Sequence, residues 1–245
     1  MSIRRNGLKV LGLSFVAVLG LMAFMAVGAQ AEESGGKWTY LNGATLETLP
    51  NEQGLGGELD SADGTLLTKI AGVTVEFLCT AFTVTEGKLL TGGTALGSLK
   101  FSGCTTKLNG ATSAPCKPNA NGTESGVIKT LKILGTLLLH KLSNGTKDKI
   151  LIAEPDVGSN AFAHIETSEE CSIGENVLVG GKFALIDCEG KGEVHEVKHL
   201  VTEFAPLTHL WTISDTAEHA AHIDGSAFAF LATTHVGAKW AALWN

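Results

Sequence analysis

The sequence predicts an all-β fold: a single antiparallel sandwich or barrel-like domain with disulfides and at most short helices. Three observations support this prediction. Short apolar stretches alternate with polar residues, two-residue turn signals separate them, and threonine and valine, which favour strands, are abundant. The turn signals are Asn42-Gly43, Asp63-Gly64, Asn109-Gly110, Asn121-Gly122, Asn144-Gly145, Gly180-Gly181 and Asp224-Gly225.

Individual elements follow from local patterns. Alternation of apolar and polar residues predicts strands at Val73–Phe77, Leu99–Phe101, Phe162–Ile165 and Phe228–Phe230. Residues 127–142 are the most apolar stretch of the domain and also fit helical spacing. Gly135 in the middle of this stretch favours a buried, bulged pair of strands instead.

Helix is expected only in short pieces. The spacing of Asp215-Thr216-Ala217-Glu218 matches a capping box, which predicts a short helix over the alanines that follow, ended by Asp224-Gly225. Residues 192–204 fit both a helix and a strand, and the pattern leaves that choice open.

The first 31 residues have the composition of a secretory signal peptide. Arg4, Arg5 and Lys9 precede an uncharged apolar run, and Ala29-Gln30-Ala31 forms a cleavage signal. An uncleaved membrane anchor is the alternative, but the cleavage signal favours removal. We therefore expect a protein that is secreted to the extracellular side and keeps no stable membrane span.

The remaining chain is divided by its patterning. Residues 32–59 are rich in glycine and weakly patterned, which predicts an extended N-terminal arm. Residues 60–245 are expected to form one β-rich extracellular domain, because they contain no linker and no structural repeat.

The charge balance limits the partners. The chain has 18 lysines and arginines against 25 aspartates and glutamates, a net charge of −7. Cleavage after Ala31 would leave 15 against 25, a net charge of −10. Nucleic acid and anionic lipid are poor partners for such a surface. An extracellular or cell-envelope ligand of unknown identity is expected instead.

The five cysteines are disulfide candidates, because an exported protein meets an oxidising compartment. Cys104 and Cys116 bracket the Asn109-Gly110 turn, so we expect them to pair across a hairpin. We then expect Cys79 to pair with Cys171 and Cys188 to remain free. The pairing among these last three cysteines stays open.

The sharpest chemical motif is His195-Glu196-Val197-Lys198-His199, which matches the H-E-x-x-H zinc site of many metalloproteases. On a helix, the two histidines would share one face and bind zinc, and Glu196 would act as general base on the zinc-bound water. The charges of Glu193 and Lys198 and the nearby Pro206 argue against a match to this motif. We interpret these residues as solvated polar positions, without a cofactor, and keep a zinc-dependent hydrolase as the alternative.

Other chemical signals are weaker. The sequence has no G-x-S-x-G elbow, no P-loop and no dinucleotide-binding glycine pattern. Five aromatic residues could form a sugar-stacking platform, but aromatic residues of a β-rich fold more often pack in the core or at its rim. They are Trp38, Tyr40, Trp211, Trp240 and Trp244.

One resemblance covers most of residues 65–241. It rests on Val73–Cys79, Phe101–Cys104, Cys116, Pro155, Cys171, His209-Leu210, Ile223–Ala227 and Gly237–Trp240. In these segments the chain resembles a group of uncharacterised secreted proteins of soil-dwelling, high-GC Gram-positive bacteria. The resemblance implies a secreted β-rich fold, and no activity is known for the group, so it transfers no catalytic residue.

Three classes of function are therefore considered. The sequence favours a non-catalytic extracellular structural or binding protein. A ligand-holding β-barrel or sandwich is the second class. A zinc-dependent hydrolase using His195, Glu196 and His199 is the third.

Overall fold

A computed structural model describes residues 35–50, 52–59, 64–120, 122–141, 145–185, 195–198, 208–214 and 216–244, with only the backbone described at 195–198. All regular structure in these ranges is β-strand, and no helix occurs within them. The strand ladders are antiparallel. The predicted all-β fold class is confirmed. Within the same ranges, no helix is long and apolar enough to cross a membrane.

Twenty strands are numbered in chain order. They are β1 Lys37–Asn42, β2 Thr45–Thr48, β3 Gln53–Leu59, β4 Gly64–Ile70, β5 Val73–Cys79, β6 Ala81–Leu90, β7 Thr94–Ser102, β8 Thr105–Leu108, β9 Ala111–Thr112, β10 Asn119–Ala120, β11 Ile128–Lys129, β12 Ile133–Lys141, β13 Lys147–Pro155, β14 Ala161–Glu166, β15 Asn176–Leu185, β16 His195–Lys198, β17 His209–Ser214, β18 Ala217–Asp224, β19 Ser226–Leu231 and β20 Trp240–Leu243.

Most strands belong to two series of hydrogen-bonded neighbours, which we call the front run and the back run. The two runs share strand β15. The front run has the order β16-β19-β3-β6-β7-β12-β13-β15, with β11 also pairing with β7. The back run has the order β10-β14-β15-β17-β18-β4-β5-β8-β9. Strand β15 pairs with β13 through residues 183–185 and with β14 and β17 through its earlier residues. The two runs are therefore joined edge to edge along β15.

A long two-stranded ribbon also joins the runs. Strands β5 and β8 pair in the back run, with Leu78 opposite Thr105. Strands β6 and β7 pair in the front run, and Ala81 lies opposite Ser102 in the same register. At the corner between these pairs, Cys79 falls opposite Cys104, and the two form a disulfide with Cα atoms 4.0 Å apart.

The observed pairing corrects our expectation for the disulfides. Cys104 is bound to Cys79, and Cys116 is bound to Cys171. The four cysteines expected in disulfides are all bonded, but both expected pairs are wrong. Cys188 lies outside the described residues. The bridges close loops with sequence separations of 25 and 55 residues, which in the chain-entropy model stabilises the fold by about 3.5 and about 4 kcal/mol.

The hairpin that prompted the wrong pairing does exist. Asn109 and Gly110, with φ of 49° and 86°, form the turn between β8 and β9. Strand β9 is only two residues long, and the chain then leaves the ladder. Cys116 is therefore carried away from Cys104 and towards the loop that contains Cys171. A turn signal predicts the turn but not how far the ladder continues beyond it.

The segment expected to be an extended arm is instead part of the fold. Strand β1 pairs with β2 and β20 in a separate three-stranded sheet, and β3 lies between β19 and β6 in the front run. The glycines that obscured the strand pattern are required here, because a Cβ atom on Gly56 would lie 2.4 Å from the ring of Phe230. A larger residue would push that ring away.

Two further local predictions are corrected. The expected helix after Asp215 is the strand β18, which pairs with β17 and β4. Backbone pairing on both sides outweighs the helical preference of the alanines, because tertiary context overrides local propensity. Gly180-Gly181 is not a turn but lies within β15, where a Cβ atom on Gly181 would lie 1.8 Å from the carbonyl oxygen of His209.

The apolar stretch 127–142 contains strands β11 and β12, which confirms strand rather than helix. The expected bulged pair of strands is wrong, because β12 continues through Gly135 in unbroken register with β13. Gly135 lies opposite Ala95 of β7 and Ala153 of β13. A Cβ atom on Gly135 would contact the side chain of Leu151 at 3.0 Å, so the glycine accommodates that leucine.

Two main hydrophobic clusters, with a smaller third one around Ile150, hold the described strands. The larger one combines side chains of both runs, including Ile133 and Phe183 from the front and Phe77 and Ile165 from the back. The second cluster lies where the three-stranded sheet packs on the front run. Its centre is an edge-to-face contact of Trp38 and Trp240, whose ring centroids are 5.5 Å apart.

Peptide mapping tests the disulfide assignment. Trypsin digestion of the unreduced protein is expected to release residues 70–88 linked to 101–107, and residues 108–129 linked to 150–182. Trypsin does not cleave after Lys117, because a proline follows it, so residues 108–129 stay in one peptide. A mass for 101–107 linked to 108–129 would restore the pairing across the hairpin and contradict the register at the corner.

Candidate functional site

A cavity of about 270 Å³ lies between the front and back runs. It follows from the strand pattern, because alternate side chains of both runs point inwards. Six phenylalanines contribute to its wall, and four of them form two pairs of neighbouring rings. Phe82 and Phe101 come from neighbouring strands of the front run, with ring centroids 5.3 Å apart. Phe162 of β14 and Phe183 of β15 are 5.2 Å apart.

The remaining wall is almost entirely apolar. The side chains there that carry a hydroxyl or carboxylate are those of Thr65, Thr130, Asp224 and Ser226. The Thr130 hydroxyl already accepts a hydrogen bond from the Leu99 amide. None of the described lining residues is a lysine, arginine or histidine. The interior thus offers dispersion contacts to a ligand and few polar ones.

One described residue of the cavity wall is exposed to solvent. Asp224, at the end of β18, lines the cavity and is exposed. Gly225 and Ser226 beside it also line the cavity. We call the corner formed by residues 224–226 the mouth.

The wall away from the mouth is closed by indole rings. Trp240 lines the cavity, and its Nε1 donates a hydrogen bond to the carbonyl oxygen of Ala229 at 3.3 Å. Ala229 lies three residues along β19 from Ser226, which is about 10 Å in a strand. Trp38, also in the wall, donates to the carbonyl oxygen of Thr94 at 2.8 Å. Both indole donors are therefore occupied, and the rings present apolar surface to the cavity.

The size of the cavity defines what it can hold. An apolar cavity of about 150 Å³ stays dry and binds one benzene ring. In proportion, the 270 Å³ between the runs accommodates on the order of ten carbon atoms. The site can take up a short alkyl chain or a small ring system.

The structure describes only the first four residues of the H-E-x-x-H segment, and they are not helical. Residues His195–Lys198 form β16, whose backbone pairs with β19. In a strand, residues four positions apart are separated by about 13 Å, whereas zinc–nitrogen bonds are near 2 Å. His199 lies outside the described residues. Among the described residues, no group of three or more histidine, cysteine or acidic side chains is placed to hold a metal ion.

The aromatic residues considered for a sugar platform are mostly interior. Trp38, Tyr40 and Trp240 are buried in the second cluster. The ring of Trp211 lies over Gly180, where a Cβ atom would be 2.4 Å from it. The packing interpretation fits these positions, and they form no exposed stacking surface.

A polar cluster lies on the three-stranded sheet. The Tyr40 hydroxyl donates to Glu47 at 2.8 Å, and the Asn42 amide donates to the other carboxylate oxygen at 3.0 Å. The ring of His235 stacks on Tyr40 with centroids 3.9 Å apart. The hydrogen bond to Glu47, with smaller contributions from burial and from the carboxylate charge, raises the pKa of Tyr40. The hydrogen bonds from Tyr40 and Asn42 lower the pKa of Glu47.

Comparison with family models, with curated proteins and with solved structures finds no match to this chain.

Sequence reasoning did not locate the cavity residues. Many of them lie in the predicted strands, but no local motif marks them. The available signal was the number of small residues at inward positions of long strands, such as Ala95, Gly135 and Ala153. Whether small residues opposite phenylalanines leave an empty space depends on the distance between the two runs, and the sequence does not give that distance.

The polar cluster generates a prediction about tyrosine ionisation. Tyr40 is the only tyrosine of the chain, so the absorbance of tyrosinate reports on it alone. Glu47→Gln removes the anion that disfavours tyrosinate and is expected to lower the pKa of Tyr40 in a spectroscopic titration. Glu52→Gln, on an exposed carboxylate that instead pairs with Lys88, is the control and should leave the titration unchanged. An unchanged titration in E47Q would contradict the hydrogen bond.

Proposed function

We propose that this protein is an extracellular, non-catalytic binding protein that holds a small apolar ligand between its two strand runs. The cavity of about 270 Å³ with an almost wholly apolar wall is the observation that supports this proposal. The ligand enters at the mouth and is bound mainly by the exclusion of water from its apolar surface.

The energetics of an empty cavity support the same conclusion. Protein interiors are close-packed, with few voids larger than one water molecule. Apolar space left empty costs stability in proportion to its volume, because the side chains that line it lose packing contacts. A ligand that fills the cavity recovers part of that loss.

The extracellular location is supported by two features. The two disulfides indicate an oxidising compartment. The first 31 residues have the composition of a secretory signal peptide. We therefore propose that the protein is exported and acts at or beyond the cell surface.

Octanol is a suitable probe of the cavity. Burial of its eight carbons, at about 0.8 kcal/mol each, gives about 6 kcal/mol, which corresponds to a dissociation constant on the order of tens of micromolar. Isothermal titration calorimetry of the purified protein is expected to show one octanol bound per chain. Weaker or absent binding, with only surface adsorption at high concentration, would contradict the proposal.

Gly64→Leu tests whether the ligand occupies this cavity. Gly64 lines the cavity, and the nearest atoms to a Cβ atom there are in Phe101 and Leu59 at 3.7 and 3.8 Å, so a side chain fits. We expect G64L to weaken octanol binding at least tenfold while the melting temperature is maintained or raised. Ala111→Leu, at an exposed strand position, is the control and should bind octanol normally. Equal binding by both variants would place octanol elsewhere.

A further inference from the structure

We infer that the cavity selects ligands whose polar end is a hydrogen-bond donor, an ammonium most strongly, and that it discriminates against carboxylates. This inference rests on the proposed function, because it specifies the ligand of the same cavity. It comes from the charge distribution of the wall and not from its volume.

The described part of the cavity wall has no cationic side chain to pair with an anion. A carboxylate that leaves water needs a cation or several hydrogen-bond donors. The described lining residues include no lysine, arginine or histidine, and the two indole donors are occupied by Thr94 and Ala229. An acid that entered with its head group inside would bury an unpaired charge. Its head group must therefore remain at the mouth.

The mouth carries a negative charge, on Asp224. Asp224 is both exposed and part of the cavity wall. Its Oδ1 accepts a hydrogen bond from the Gly225 amide at 2.9 Å, which fixes the carboxylate beside the corner. A carboxylate has about four acceptor positions, so capacity remains for a donor on the ligand. An alkyl chain lying in the cavity would have its head group near this carboxylate.

The size of the effect follows from Coulomb's law. Two unit charges 4 Å apart in water-like surroundings interact strongly enough to change affinity about fivefold. An ammonium gains this factor and a carboxylate loses it, so the two should differ by at least about tenfold. The net charge of −7 opposes the approach of anions as well.

The test compares three ligands with the same chain length: octylammonium, octanol and octanoate. Calorimetry at pH 7 and low salt keeps the amine and the acid ionised. We expect affinity to fall in that order, with octylammonium at least tenfold tighter than octanoate. The difference should shrink in 0.5 M salt, because screening at the exposed mouth weakens it.

Asp224→Asn identifies the group responsible. We expect D224N to reduce the ratio of octylammonium to octanoate affinity at least fivefold and to leave octanol binding within twofold. Asp156→Asn is the matched control, because Asp156 likewise accepts a hydrogen bond from the following amide, at 2.8 Å, and does not line the cavity. It should leave the ratio unchanged although it changes the net charge equally.

The outcomes separate the two proposals. If no ligand binds, the proposed function fails, and this inference fails with it. If octanol binds but octanoate binds as tightly as octylammonium, the inference is overturned while the proposed function stands. If D156N reduces the ratio as much as D224N, the discrimination follows net charge and not the mouth, which also overturns the inference.

Discussion

The bend in the ribbon formed by β5-β6 and β7-β8 determines the rest of the structure. The same register runs through the corner, so Cys79 and Cys104 lie opposite each other where the ribbon passes from the back run to the front run. The backbone must turn sharply there, and Gly103, with φ of 62°, makes the turn. A Cβ atom on Gly103 would lie 2.2 Å from the Thr80 hydroxyl, which explains the glycine at this position. Because of the bend and the shared strand β15, one face of the front run packs opposite one face of the back run.

The two facing runs explain why the interior can hold a ligand. Close packing of two β faces needs side chains that interdigitate over about 10 Å. Here small residues such as Ala95, Gly135 and Ala153 lie opposite one another along three neighbouring strands. The phenylalanines line the wall but leave space between them. Disulfides at the corner and at Cys116–Cys171 offset the stability that a void removes, so the chain can tolerate an internal cavity.

The sequence predicted the strand class and several strands because alternation and turn residues are local signals. Asn109-Gly110 forms its hairpin turn as expected, for that reason. The disulfide pairing depends on the register between β5 and β8, which lie 25 residues apart, and no local signal gives it. The strand β3 was missed because Gly56 and Gly57 serve a contact with neighbouring side chains that appears only in the assembled sheet. The cavity was missed for the same reason, because its volume depends on how far apart the assembled front and back runs lie.

We propose that the space between the runs is a dry apolar site open to small molecules. Xenon enters dry apolar cavities and scatters strongly, so a crystal of the protein pressurised with xenon reveals whether this space is dry and accessible. We expect a xenon peak between the runs, bounded by Trp240 at one side and reached from the corner at Asp224. Ordered water molecules throughout that space, or side chains that fill it, with xenon absent, would show that it is not such a site.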